Sequence, residues 1–257
     1  MATNWLLGVP LNAHGFYSFV FGATLVQYNL HYVSKTEAVS GSLRLAWSKG
    51  NRQIHFVLLA AGIALIIYSL FSFQLRHFFI LLLLGLIASV YSFPVLPFGK
   101  KRRLKEYGLL KIITLSLLWT LVTVWFPVNN YPYDKLLFAF IFIERFIFMF
   151  VLCLLFDVRD HELDAAKHIR TLAVMLGKKK SYQLAYILVI LFFVICVVHQ
   201  YYQPFPGFLI AMGLSAAATA ATIFATQKFN SDIIFLAGID GMMLLQALMI
   251  WLFSLKF

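Results

Sequence analysis

Four of the ten acidic residues in this 257-residue chain, Asp157, Asp160, Glu162 and Asp164, fall within one eight-residue stretch. The stretch follows directly on an apolar run, IFIERFIFMFVLCLLF, of the kind that crosses a bilayer. A carboxylate is costly at membrane depth, so acids beside a span are uncommon unless they have a task. On a continuous helix Asp157, Asp160 and Asp164 stand at i, i+3 and i+7 and share one face. Three oxygen donors converging there suit a hard divalent cation such as Mg²⁺, and that cation in turn suits a diphosphate. His161 and His168 project to the same face, and Arg159 and Arg170 to the other. The segment then continues as TLAVMLG, an amphipathic run that Gly177 is placed to close. Spacing alone reads equally well as a solvated helix extension that fixes topology; the histidines and the amphipathic run favour a structured cap.

Two further loops carry candidate chemistry. Residues 91–111, YSFPVLPFGKKRRLKEYGLLK, break a helix at Pro94 and Pro97 and then present Lys100, Lys101, Arg102, Arg103 and Lys105. For any single lysine, topology is a sufficient explanation; together the block suits a diphosphate or anionic headgroups. The earlier loop begins Tyr28, Asn29, Leu30, His31, Tyr32 and continues to Lys35 and Glu37. Inside the spans, Glu144 and Arg145 are adjacent and diverge by about 100°, so each needs a partner on a neighbouring helix. Asp240, in the run GIDGMMLLQ, reads as another buried acid, with Arg145 as one possible partner.

These residues are held by a chain that is 62% hydrophobic and 12% charged, with 27 Phe and a mean hydropathy of +0.86. Soluble domains carry about twice that charge. Seven stretches of bilayer length stand out, roughly 54–74, 77–96, 108–128, 135–156, 182–202, 206–226 and 232–254, with a more polar eighth at roughly 13–33. The expected architecture is all-α: one polytopic transmembrane helical bundle of about eight helices, forming a single domain over residues 1–257. The net charge of +11 does not point to nucleic acid. Of the 21 Lys and Arg, 17 lie in the connections 34–53, 97–111, 157–181 and 227–231, while the alternate connections hold Arg76 and Lys135. That alternation predicts basic loops on the cytoplasmic side of the cell (inner) membrane and both termini outside. The first dozen residues lack the basic start and small-residue cleavage site of a signal peptide. Cys153 and Cys196, each in an apolar run, read as small core residues. The long basic loops make the cytoplasmic face the working face.

The stretch DVRDHELDAAKHIRTLAVMLG (157–177) resembles the second aspartate-rich motif of the UbiA superfamily of intramembrane prenyltransferases. It is nearest to the quinone-pathway branches, in which D-x-x-x-D precedes a basic residue, T-L-x-V and L-G. YSFP with its following Lys/Arg block (91–103) resembles the loop after that family's fourth helix, in matching order and spacing. Where the family's first motif, N-D-x-x-D-x-x-x-D, belongs, this chain has NLHYVSKTE (29–37): Asn29 and Glu37 stay in register, and Leu30 and Val33 stand where aspartates would be. The family fold has nine helices against the eight counted here, which suggests that its first helix is missing or degenerate in this chain.

The resemblance implies Mg²⁺-assisted ionisation of an allylic polyprenyl diphosphate and capture of the carbocation by an aromatic or other lipophilic acceptor, in contact with membrane lipid. It assigns Mg²⁺ and catalysis to Asp157, Asp160 and Asp164. Substrate binding falls to Lys101, Arg102, Arg103 and Lys167, to Asn29 and His31 on an opposing wall, and to Tyr91 and Ser92 at the mouth. The two missing first-motif aspartates keep a second reading open, a catalytically silent membrane protein that retains an isoprenoid- or lipid-binding cavity. A CDP-alcohol phosphotransferase is disfavoured because Asp240-Gly241 is followed by MMLLQ and not by that family's signature. A transporter is disfavoured because the acids gather near a membrane surface and not at mid-depth.

Overall fold

The computed structural model describes residues 1–34, 50–92, 108–128, 131–166, 168–229, 231 and 234–254. In chain order the helices are α1 (Ala2–Leu6), α2 (His14–Ser34), α3 (Arg52–Leu70), α4 (Leu75–Ser92), α5 (Gly108–Thr120), α6 (Lys135–Arg159), α7 (His161–Ala166), α8 (Leu172–Leu176), α9 (Lys178–Tyr202), α10 (Phe208–Lys228) and α11 (Asp240–Ser254). Two π-helical turns join them, Leu121–Trp125 continuing α5 and Ile234–Ile239 leading into α11. No strand occurs among the described residues. Each of the eight expected stretches contains a helix among the described residues, with turn or coil at 13, 71–74, 126–128 and 206–207. Five helical segments are long and apolar enough to cross a membrane: Arg52–Leu70, Gly108–Trp125, Lys135–Arg159, Lys178–Tyr202 and Phe208–Lys228. The apolar stretches His77–Tyr91 and Ala237–Phe253 are shorter, and α2 is the more polar helix its composition announced.

The chain forms two compact units, Leu11–Phe79 on the one hand and Met1–Pro10 with Ile80–Phe257 on the other. In the first unit α2 and α3 lie side by side, and glycine sets their distance. A Cβ on Gly22 would stand 2.8 Å from the Gly62 carbonyl, and a Cβ on Gly62 would stand 2.8 Å from the Gly22 carbonyl. Such reciprocal contacts are the way apolar helices approach closely when lipid removes the hydrophobic drive between them.

The second unit is built around α6, which packs on α5, α8 and α9. Half of its most apolar window is hidden from solvent, against 17% for α3, so α6 is a central helix. Its start is fixed by Asp134, whose carboxylate accepts from the Leu136 and Leu137 amides at 2.7 and 2.9 Å. The Tyr202 hydroxyl donates to the same carboxylate at 3.0 Å and ties the end of α9 to it. The Leu137 amide, with the Tyr202 hydroxyl next, holds the Asp134 carboxyl below the usual carboxylate range. In α1, Thr3 donates to the Thr123 carbonyl at 2.8 Å, within the π-turn that follows α5. Cys153 and Cys196 are both buried and unbridged, as expected of core residues.

Candidate functional site

The end of α6 departs from the continuous helix that the spacing predicted. The helix stops at Arg159, and Asp160 follows as its C-cap with φ −86° and ψ 4°. α7 restarts at once, joined across the break by the Asp164 amide donating to the Asp160 carbonyl at 2.8 Å. It ends before His168, which takes φ +54° and terminates the turn. His168 therefore does not share a continuous helical face with the aspartates. The cap beyond forms as expected: Thr171 caps α8 by accepting from the Val174 amide at 3.4 Å, and Gly177, φ +80°, closes it.

Asp157 lies in the last turn of α6 with 1% of its surface exposed. Its Oδ1 contacts Lys111 Nζ at 2.5 Å, while its Oδ2 is buried without a hydrogen-bond partner among the described residues. Lys111 reaches it from the first turn of α5, and the charge of Asp164 also acts on that ammonium. Asp160 and Asp164 both act on Asp157. The structure thus joins Lys111, Asp157, Asp160 and Asp164 into one electrostatic cluster drawn from α5, α6, the α6–α7 junction and α7, with the Tyr91 hydroxyl of α4 in range of it. Gly108 is what lets α5 come so near: a Cβ there would run into the Arg170 carbonyl.

Arg159 does not point away from the acids as the helical projection indicated. Its Nε and Nη2 fork onto the two oxygens of Asp160 at 2.8 and 2.9 Å, and its guanidinium lies over the Phe156 ring at 5.0 Å. The helix break makes this possible, because it turns Asp160 out of the register of α6. On the exposed side, Lys178 Nζ meets Glu162 at 2.7 Å and pins α7 to the start of α9. That hydrogen bond and charge hold the Glu162 carboxyl below its usual range.

Among the described residues, no three His, Cys, Asp or Glu side chains converge closely enough to hold a metal by themselves. The unpartnered Oδ2 of Asp157, with Asp164 in range, nonetheless fits the sparser mode in which Mg²⁺ takes one or two carboxylates and completes its shell with phosphate. The donor set is hard oxygen, as that cation requires.

Asn29 belongs to the other unit and is buried. Its amide nitrogen donates to the Leu25 carbonyl at 2.8 Å, which leaves Oδ1 to face His55 Nδ1, also at 2.8 Å. His55 Nδ1 is then the donor of that pair. Both polar atoms of Asn29 are thus engaged on α2 and α3. His31 and Ser92 lie on helices, and their side chains are outside the description, while Lys101, Arg102, Arg103 and Lys167 lie outside the described residues altogether.

A second buried polar group sits about 20 Å along α6 from Asp157, thirteen residues at 1.5 Å each. Glu144 meets His199 Nδ1 at 2.8 Å, and Arg145 donates to Gln246. Both charged residues therefore find partners on neighbouring helices, as required. The suggested pairing of Arg145 with Asp240 does not occur; Asp240 is exposed at the first position of α11, and the charge acting on it is that of Arg159. Sequence reasoning passed over Lys111, His55, His199 and Gln246. Lys111 had one available signal, a lone cation in the first turn of an otherwise apolar helix.

The sequence model of the UbiA prenyltransferase family matches residues 48–253. No curated protein matches the chain in sequence. Among solved structures, a UbiA homolog from Archaeoglobus fulgidus bound to GPP and Mg²⁺ is similar, with TM-score 0.65 and 13% identity over 99% of this chain and 91% of that one. The same homolog bound to DMAPP and Mg²⁺ gives 0.61 at 13% identity, with the same coverage. A digeranylgeranylglyceryl phosphate synthase gives 0.57 at 14% identity, covering 100% of this chain and 91% of that one. At these identities the likeness is one of fold.

Proposed function

Because this chain belongs to the UbiA prenyltransferase family, we propose that it transfers a polyprenyl group from an allylic prenyl diphosphate to an aromatic or other lipophilic acceptor within the cell membrane. The observation that carries the reading is Asp157: a buried carboxylate at the end of a membrane-length helix, with one oxygen on Lys111 and the other without a hydrogen-bond partner among the described residues. Such a group is stable only when a cation compensates it, and a diphosphate site needs cations held in this way. The solved relatives bound to GPP or DMAPP with Mg²⁺ support the same assignment of ligand class.

In this reading Asp157, Asp160 and Asp164 hold Mg²⁺ together with the diphosphate. The metal, when bound, neutralises charge on the leaving group. Lys111 supplies protein charge beside it, and Lys101, Arg102, Arg103 and Lys167 add to it from the cytoplasmic loops. Tyr91 and Ser92 border the substrate. The allylic C–O bond breaks with its electron pair leaving on the diphosphate, and the acceptor supplies the pair for the new bond and gives up a proton to the released diphosphate.

A second reading, a silent isoprenoid- or lipid-binding protein, is favoured by the first motif. Leu30 and Val33 stand where acids would be, and Asn29 has both amide atoms engaged. Purified protein in detergent, given geranyl diphosphate and a phenolic acceptor with and without Mg²⁺, separates the two. Mg²⁺-dependent release of diphosphate with formation of prenylated acceptor supports the enzyme. Saturable binding of the prenyl diphosphate without turnover would favour the silent protein.

A further inference from the structure

The Lys111–Asp157 pair combines two unequal partners. The carboxylate side chain is 2% exposed, whereas the lysine side chain keeps 22% of its surface and stands at the open side of the pair. Without a cation in contact, Asp157 would be a buried, uncompensated charge. The ammonium, in contact with Oδ1, therefore does the electrostatic work that a bound metal would do. Lysine suits an exchangeable role, being a point charge on a flexible stem with three rotatable donors and not a rigid fork. The Arg159 fork on Asp160, with two contacts at 2.8 and 2.9 Å, is the bidentate contrast in the same cluster.

We infer that Lys111 masks Asp157 and moves to a diphosphate oxygen when one arrives, so that a divalent cation enters only with or after the diphosphate. This rests on the diphosphate site proposed above and adds an order of binding to it. A free cation meets a carboxylate whose charge is already neutralised at 2.5 Å and must displace an ammonium to reach it. Mg²⁺ also gives up its water reluctantly and leans on phosphate oxygens to complete its shell. A diphosphate offers the ammonium a more highly charged partner, and Asp157 is released with both oxygens available. The charge of Asp164 acts on Lys111 and on Asp157 alike.

Calorimetric titration of the full chain in detergent tests this with three probes: Mg²⁺ alone, inorganic pyrophosphate alone, and the two together. The wild-type protein is expected to bind the combination at least tenfold more tightly than either component. Lys111→Met should gain binding of Mg²⁺ alone by at least tenfold and lose at least tenfold in pyrophosphate affinity. The double variant Lys111→Met with Asp157→Asn leaves no buried unpaired charge, so it should fold and show no gain for Mg²⁺. Wild-type protein that binds Mg²⁺ alone as tightly as with pyrophosphate overturns the masking, and that arm does not depend on any variant folding. A folded Lys111→Met protein with no gain for Mg²⁺ overturns it equally. Wild-type protein that binds none of the three probes removes the diphosphate site itself, a failure of the proposed function and not of the exchange.

Discussion

Asp160 and Asp164 are four residues apart, yet the structure treats them differently. Asp160 carries the Arg159 fork and caps α6, while Asp164 lies one turn into the cluster with its charge felt by Lys111 and Asp157. Asp164→Asn is expected to weaken Mg²⁺-pyrophosphate binding at least tenfold, about 1.4 kcal/mol. Asp160→Asn should do the same if the fork opens to the ligand. Titration of each variant checks this, and unchanged affinity in Asp160→Asn would leave that residue as the structural cap of α6. The composition and spacing of the acids were legible in the sequence. Which cation each one meets was not, because Arg159 and Asp160 come together only where the helix breaks.

At the scale of elements, the approach of α5 to the α7–α8 segment depends on Gly108. A Cβ there would collide with the Arg170 carbonyl, a backbone atom that cannot swing aside. Gly108→Ala is expected to cost about 1 to 3 kcal/mol, as overpacking usually does. It should also weaken pyrophosphate binding, since Lys111 lies three residues on along the same helix. Thermal unfolding together with calorimetry tests both effects; a variant with an unshifted midpoint and full affinity would show that α5 is not held by this contact. The helices themselves could be read from apolar runs and their punctuation, Gly177 among them. The break at Asp160 could not, since neither glycine nor proline marks it.

At the scale of the whole molecule, charge distribution and buried charge make separate demands. The basic connections predict that loops 34–53, 97–111 and 157–181 face the cytoplasm. Single cysteines introduced at Lys101 and Lys179 should then resist membrane-impermeant maleimide in intact cells and react after permeabilisation; reaction from outside at either position would invert the topology. Within the bundle, His199→Ala would leave Glu144 buried and without its partner, at a cost of about 3 to 5 kcal/mol. The paired change Glu144→Leu with His199→Phe should recover most of that loss. Thermal unfolding in detergent gives the comparison, and a double variant less stable than His199→Ala would mean that the pair contributes more than mutual compensation.

The sequence by itself determined an all-helical bundle, its helix positions, the cluster of acids and the family. In lipid the backbone must satisfy its own hydrogen bonds, so apolar runs of bilayer length have one outcome. It also required partners for Glu144 and Arg145, because charges at that depth are costly when unpaired. Only the tertiary structure decided who those partners are. His199 lies 55 positions from Glu144, Lys111 lies 46 from Asp157, and His55 lies 26 from Asn29. None of these intervals carries a periodicity that sequence inspection detects. They arise from which faces of α2 and α3 pack together in one unit and which faces of α5, α6 and α9 pack together in the other, and close glycine contacts such as Gly22 against Gly62 help set how near such helices come.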